Sequence, residues 1–272
     1  MIDSHVHVFE PRRLPYAQDA LYRPKGAEAG TPKQLERVLD AQGFSHALIV
    51  GPNSGYGLDN RCLLDALARG AGRYKGMAVV RNGASRGELQ DLRAQGVVGV
   101  TFNVALLGLN FYRNIAPLLE RLRELDLWAD VQVEGNQLVA LAPLLQDSGA
   151  KLAFDHGGRP LAADVGAGVG QPGFQALLKL AQTQRACVKL SGFTRTSRAP
   201  HPHDDMRPYV HALLQAYTPR ALVWGSDWPF LRLAQRPDHA ELLALFERYV
   251  PDADARRTIL GETPRRLFGF PA

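Results

Sequence analysis

Eight short β-branched runs alternate with amphipathic helical patterns along the whole 272-residue chain, and this alternation limits the fold more than any other feature. The runs are Ile2–Val8, His46–Val50, Gly76–Val80, Val97–Phe102, Trp128–Val133, Leu152–Asp155, Cys187–Leu190 and Leu222–Trp224. Between them apolar residues recur at helical spacing, as in Leu35, Val38 and Leu39 or Leu118, Leu119, Leu122 and Leu125, so each helix can bury one stripe on a sheet. Eight such units point to a closed (β/α)8 TIM barrel of the α/β class, and the chain length suits one barrel. An open doubly wound sheet is the alternative, but no Gly-x-Gly-x-x-Gly opens a helix after the first strand. The chain therefore reads as a single domain, 1–272. Its tail from Asp254 to Phe270 reads as a C-terminal helix packed through Ile259, Leu260, Leu267 and Phe268.

Composition narrows the partners. Charged residues make up 22% and apolar residues 46%, which is globular rather than disordered. The formal charge of +5 comes from Lys and Arg scattered among acids, without a basic run, so no nucleic-acid partner is expected. A mildly positive field can still gather small anions. Cys62 and Cys187 each sit in an apolar stretch and read as buried free thiols. The first residues lack a signal-peptide pattern and no apolar run of membrane-spanning length follows, so a cytoplasmic protein with no membrane partner is the expectation.

The residues that carry chemistry fall at the ends of the expected strands. His5 and His7 are two apart in the first strand, so strand alternation sends both rings to one side. By itself the pair fits metal ligands, donors to a substrate oxygen, or two surface histidines. His156 ends the sixth strand in Phe154-Asp155-His156-Gly157-Gly158-Arg159-Pro160, where the glycines permit a tight turn. Asp227 ends the eighth in Trp224-Gly225-Ser226-Asp227-Trp228-Pro229. The long connections Pro11–Thr31 and Arg195–Asp205 follow strands one and seven, at the rim where barrel active sites form, and suit lids or substrate walls. Residues 166–170, Gly-Ala-Gly-Val-Gly, read as a loop, with a phosphate cradle as the alternative.

The ordered set Ile2-Asp3-Ser4-His5-Val6-His7-Val8-Phe9, Gly57-Leu58-Asp59-Asn60-Arg61, Phe102-Asn103, Asp155 to Pro160, Lys189-Leu190-Ser191-Gly192 and Trp224 to Pro229 resembles the amidohydrolase superfamily. The similarity is to its branch of pyrone-dicarboxylate and sugar-lactone hydrolases. The resemblance implies lactone hydrolysis, with Asp227 as general base and His5, His7 and His156 around the scissile carbonyl. It also implies either no required cofactor or one divalent ion, zinc or manganese, with His5, His7, His156 and Asp227 as the candidate ligands. The fifth strand has no lysine to bridge two metals, so a binuclear site is not expected.

Arg159 and Arg195 match the family's carboxylate-binding positions, whereas Thr101 and Gln132 stand where the pyrone branch carries an arginine and a tyrosine. Fewer guanidinium forks weaken the case for a planar dicarboxylate. Thr101, Asn103, Gln132, Asn53 and Ser54 offer neutral donors and acceptors suited to hydroxyls, with Tyr22 and Tyr56 as further candidates. The expected substrate is a small anionic lactone, such as a sugar-acid lactone. A metal-dependent decarboxylase and a non-catalytic binding barrel are the alternatives.

Overall fold

A computed structural model describes residues 1–161, 167–233 and 235–271. Eight parallel strands pair in sequence order: β1 (Ile2–Val6), β2 (His46–Val50), β3 (Tyr74–Ala78), β4 (Val97–Asn103), β5 (Trp128–Gln132), β6 (Lys151–Phe154), β7 (Ala186–Leu190) and β8 (Leu222–Trp224). Just beyond β8 the barrel closes on β1. Val6 bridges Trp228, His7 N donates to Trp228 O at 2.7 Å, and Asp227 N donates to His5 O at 2.9 Å. The outer helices are α1 (Pro32–Ala41), α2 (Arg61–Arg69), α3 (Arg86–Ala94), α4 (Ala116–Glu124), α5 (Gln137–Asp147), α6 (Pro172–Leu180), α7 (Arg207–Tyr217) and α8 (His239–Tyr249). Capping boxes start α1 at Thr31, α3 at Ser85 and α8 at Asp238, satisfying backbone N–H groups that have no partner within the helix.

The (β/α)8 architecture is thus the one the strand count implies. The third strand lies two residues earlier than the apolar run suggests, because Val79 is held by a side chain instead of a neighbouring strand: its N donates to Asn60 Oδ1 at 3.0 Å and its O accepts from Asn60 Nδ2 at 2.8 Å. Val79 and Val80 therefore leave the ladder. The tail does form a terminal helix, but with a π-helical turn at Thr258–Glu262 between the α-helical pieces Ala253–Arg257 and Thr263–Phe268. Of the glycine-rich stretch, Gly168–Gly170 forms a short 3-10 turn, while Gly166 lies outside the described residues.

Strand alternation divides the core in two. One set of side chains, including Ala47, Ile49, Val100, Phe102, Ala129, Val131, Leu152, Phe154, Val188 and Leu190, packs outward under the helices. The alternate set fills the floor of the lumen with Ile2, Leu48, Met77, Trp128, Ala153, Cys187 and Val223, closed from below by Phe268 and Phe270. Trp128 Nε1 donates to Leu267 O at 3.1 Å, which fastens the tail to that floor. Cys62 and Cys187 are both buried and unbridged.

Candidate active site

Continuing up the same lumen-facing positions, the apolar floor gives way to charge. Lys189 on β7 is fully buried, with its ammonium 2.7 Å from Asp130 Oδ1 on β5, 2.8 Å from Asp155 Oδ1 beyond β6, and 3.3 Å from His5 Nδ1 on β1. Asp155 Oδ1 is also 3.1 Å from His5 Nδ1, and Thr101 Oγ1 donates to Asp130 Oδ2 at 3.3 Å. Burial opposes the charge on each of these groups, and the neighbours decide which keeps it. Asp130 is pushed up to about 6 by burial and by Asp155. Asp155 is held well below the usual carboxylate range, because Lys189 and His5 outweigh the desolvation. Against its own desolvation His5 is raised above 6.5 by Asp155.

Above this layer His5, His7, His156 and Asp227 converge. The His5 and His7 rings meet edge to face at 4.9 Å, and the His5 and His156 rings are 4.7 Å apart. Asp227 Oδ1 lies 3.3 Å from His7 Nε2 and 3.6 Å from His5 Nε2, while Oδ2 accepts from Arg195 at 3.1 Å. Burial opposes ionisation of Asp227, but His156, the His7 hydrogen bond and Arg195 hold its carboxyl well below the ordinary range. Burial drives His156 down to about 3, so its ring is neutral at pH 7 and Arg195 is the permanent cation beside Asp227.

The chain turns sharply to present these groups. His156 and Asp227 both occupy the left-handed region, at φ 53° and 62°, a strain found at functional sites. Two glycines leave the room that the histidines need. A Cβ on Gly225 would stand 2.5 Å from His5 Cβ, and one on Gly192 would stand 2.7 Å from His156 Nδ1. Each histidine has its Nδ1 engaged: His7 donates to Val50 O at 2.8 Å, His156 meets Ser191 Oγ at 2.8 Å, and His5 meets the Asp155–Lys189 pair. The three Nε2 atoms are thereby turned toward Asp227 and the pocket.

This donor set fits one divalent ion. Ligand atoms of His5, His156 and Asp227 lie within 4.8 Å of one another, and their outer nitrogens are fixed as metal-binding histidines require. His7 falls outside that trio, although it faces an acceptor at each ring nitrogen, Val50 O and Asp227 Oδ1.

A cleft of about 280 Å³ opens over the cluster. Its lining includes the expected Arg159, Arg195, Asn103, Thr101, Gln132, Asn53 and Ser54. Tyr22 is not among the lining residues: its hydroxyl donates to Glu28, and Arg232 stacks over its ring at 4.2 Å. Tyr56 likewise lies elsewhere, donating to Leu14 O at 2.9 Å. Two of the neutral polar residues have internal duties, since Thr101 spends its proton on Asp130 and Asn103 Oδ1 accepts from Leu106 N at 3.1 Å. Sequence reading missed Glu134, which pairs with Arg159 at 3.4 Å, and Arg232, which lines the mouth. It also quoted Lys189 and Asp155 without a role. The available signal was a charge flanked by apolar strand residues, Val188-Lys189-Leu190 and Ala129-Asp130-Val131, which is costly to bury unless partnered.

Histidines and an aspartate gathered at the strand ends of a closed barrel, above a polar cleft, define a barrel enzyme of the hydrolytic type. The chain belongs to the amidohydrolase family, whose model matches residues 2–270. It is 33% identical to a 4-sulfomuconolactone hydrolase of Rhizobium radiobacter, over 98% of this chain and 89% of the relative. A 2-pyrone-4,6-dicarboxylate hydrolase of Comamonas testosteroni is 28% identical over 98% and 89%. Among solved structures, a Pseudomonas putida protein provisionally assigned as a 2-pyrone-4,6-dicarboxylic acid hydrolase superposes with a TM-score of 0.86 at 33% identity, covering 100% of this chain and 98% of that one.

Proposed function

We propose that this chain hydrolyses a small anionic lactone, with Asp227 taking the proton of the attacking water and the histidines polarising the carbonyl. The observation that carries the reading is the cluster in which an ionised, buried carboxylate meets the His5, His7 and His156 rings beneath an arginine-edged cleft. Both curated relatives described above act on lactones.

Lactone opening needs a base for water and stabilisation of the oxyanion that forms at the carbonyl oxygen. Asp227 is ionised throughout the working pH range and sits on the rim within reach of the cleft. His5 Nε2 is aimed at the same space, 3.6 Å from Asp227, where an N–H on it would donate to the developing oxyanion. Addition of water gives a tetrahedral intermediate, and collapse breaks the acyl–oxygen bond as the ring oxygen takes the proton back from Asp227 and leaves as the alcohol of a hydroxy acid. A divalent ion held by His5, His156 and Asp227 would supply Lewis-acid polarisation of the carbonyl. Arg159, Arg195 and Arg232 line the cleft and can hold the substrate's anionic group by charge-assisted bonds. Asn53, Ser54 and Gln132 are placed to contact hydroxyls.

The test is turnover of a panel of sugar-acid, muconolactone-type and pyrone lactones, followed by acid release with a pH indicator. Acid release from at least one class supports the reading. No turnover across the panel, with the protein folded and with or without added zinc or manganese, contradicts it.

A further inference from the structure

The buried layer beneath the site has no role in the chemistry just described, yet it is built with care. An ammonium carries three N–H donors, and Lys189 has three polar groups at hand: Asp130 Oδ1 at 2.7 Å, Asp155 Oδ1 at 2.8 Å and His5 Nδ1 at 3.3 Å. They come from β5, the end of β6 and β1, so one side chain ties three walls of the lumen across its axis. Lys189, Asp130 and Asp155 are each at most 1% exposed. Filling this space with apolar side chains, as Met77, Trp128 and Cys187 do one layer below, would stabilise the barrel at least as well as desolvated ions do. The placement of charge in this layer therefore calls for another cause.

That cause is in contact with it. His5 Nδ1 lies between the Asp155 carboxylate at 3.1 Å and the Lys189 ammonium, and its Nε2 points the other way, toward Asp227 at 3.6 Å. Ring plane and proton placement on His5 follow from what grips Nδ1. Among the described residues His5 has no backbone carbonyl on that nitrogen comparable to the one that Val50 gives His7, so the charged layer takes that part. We propose that Lys189 is a positioning residue: it pins Asp155 and faces His5 Nδ1, and so aims His5 Nε2 at the reacting centre. Asp130 is the counter-anchor that keeps the ammonium from turning to Asp155 alone, and Thr101 holds Asp130 from the far side.

The test uses Lys189→Met, which keeps chain length and removes the charge, with Asp155→Asn and Asp130→Asn beside it. Protein labelled with 15N-histidine reports the two ring nitrogens of His5 by NMR, assigned by their loss in His5→Gln. Lys189→Met is expected to move the His5 ring-nitrogen resonances and leave those of His203, which is outside the lumen, in place. On a lactone that the wild-type enzyme turns over, kcat should fall about 10- to 100-fold with KM little changed. Asp155→Asn should reproduce both effects, and Asp130→Asn should give a weaker version of them. If Lys189→Met does not fold, the Asp155 and Asp130 variants decide by that same graded order. Unmoved His5 resonances with wild-type kcat in folded variants, or a loss of Tm alone, overturn the proposal. The kinetic arm rests on the lactone-hydrolase reading, whereas the NMR arm needs no turnover, so failure of one is separable from failure of the other.

Discussion

The lower and upper halves of the barrel interior stand on the same strands, two residues apart on β5 and β7, but hold opposite chemistry. On β5 the floor residue is Trp128 and the next lumen positions are Asp130 and Gln132; on β7 Cys187 is followed by Lys189. Below, dispersion and burial hold the walls together, and the tail closes the base with Phe268 and Phe270. Above, groups that cost free energy to bury are held by one another and by left-handed turns at His156 and Asp227. The difference separates a half whose substitution costs stability alone from a half whose substitution costs reaction rate first.

The largest expected effect is in the upper half. Asp227→Asn keeps shape but removes the base, and kcat/KM should fall by about 100- to 10,000-fold at nearly unchanged Tm, measured by acid release and thermal melting. In the lower half Leu48→Ala empties a fully buried position and should cost about 2–5 kcal/mol in denaturant unfolding, with kcat per folded molecule unaltered. Should that variant lose rate instead, the division between halves breaks.

Arg159→Gln removes a charge-assisted partner at the cleft and should raise KM about 10- to 100-fold for an anionic lactone, with a smaller effect on its methyl ester. A pH-dependent effect belongs to His156. Its folded pKa of about 3 lies below the unfolded value of 6.5, so between those values the unfolded chain takes up a proton that the folded one refuses. The stability it contributes is complete above pH 6.5 and is lost as pH falls through that window, at up to about 1.4 kcal/mol per pH unit. Urea midpoints measured from pH 7 to pH 4 should therefore decline less steeply in His156→Gln than in wild type. The smallest effect is outside both halves: Arg86 and Glu124 pair on the surface, and Arg86→Gln should change stability by less than about 0.5 kcal/mol.

Much of the upper half was legible because it sits at strand ends. His5 and His7 share a side by alternation, and His156 and Asp227 each close a recognisable strand, so their convergence follows once the barrel closes. The layer beneath was not legible as a unit. Asp130 and Lys189 lie on β5 and β7, which are not neighbours in the sheet, and their contact across the lumen depends on strand register that no local pattern carries. The same holds for Tyr22, a substrate-binding candidate by sequence, whose hydroxyl is engaged by Glu28 and whose ring is covered by Arg232. Asn60, part of the motif that carried the family resemblance, proves to be a structural bracket on Val79 rather than a cleft residue.

The central claim is that water attacks the acyl carbon of a lactone ring at Asp227. Turnover of the fastest lactone of the panel in 18O-labelled water, with mass analysis of the product, tests it most directly. One label in the new carboxylate and none in the alcohol is the predicted result. An unlabelled product, a label on the alcohol carbon, or release of carbon dioxide would contradict it.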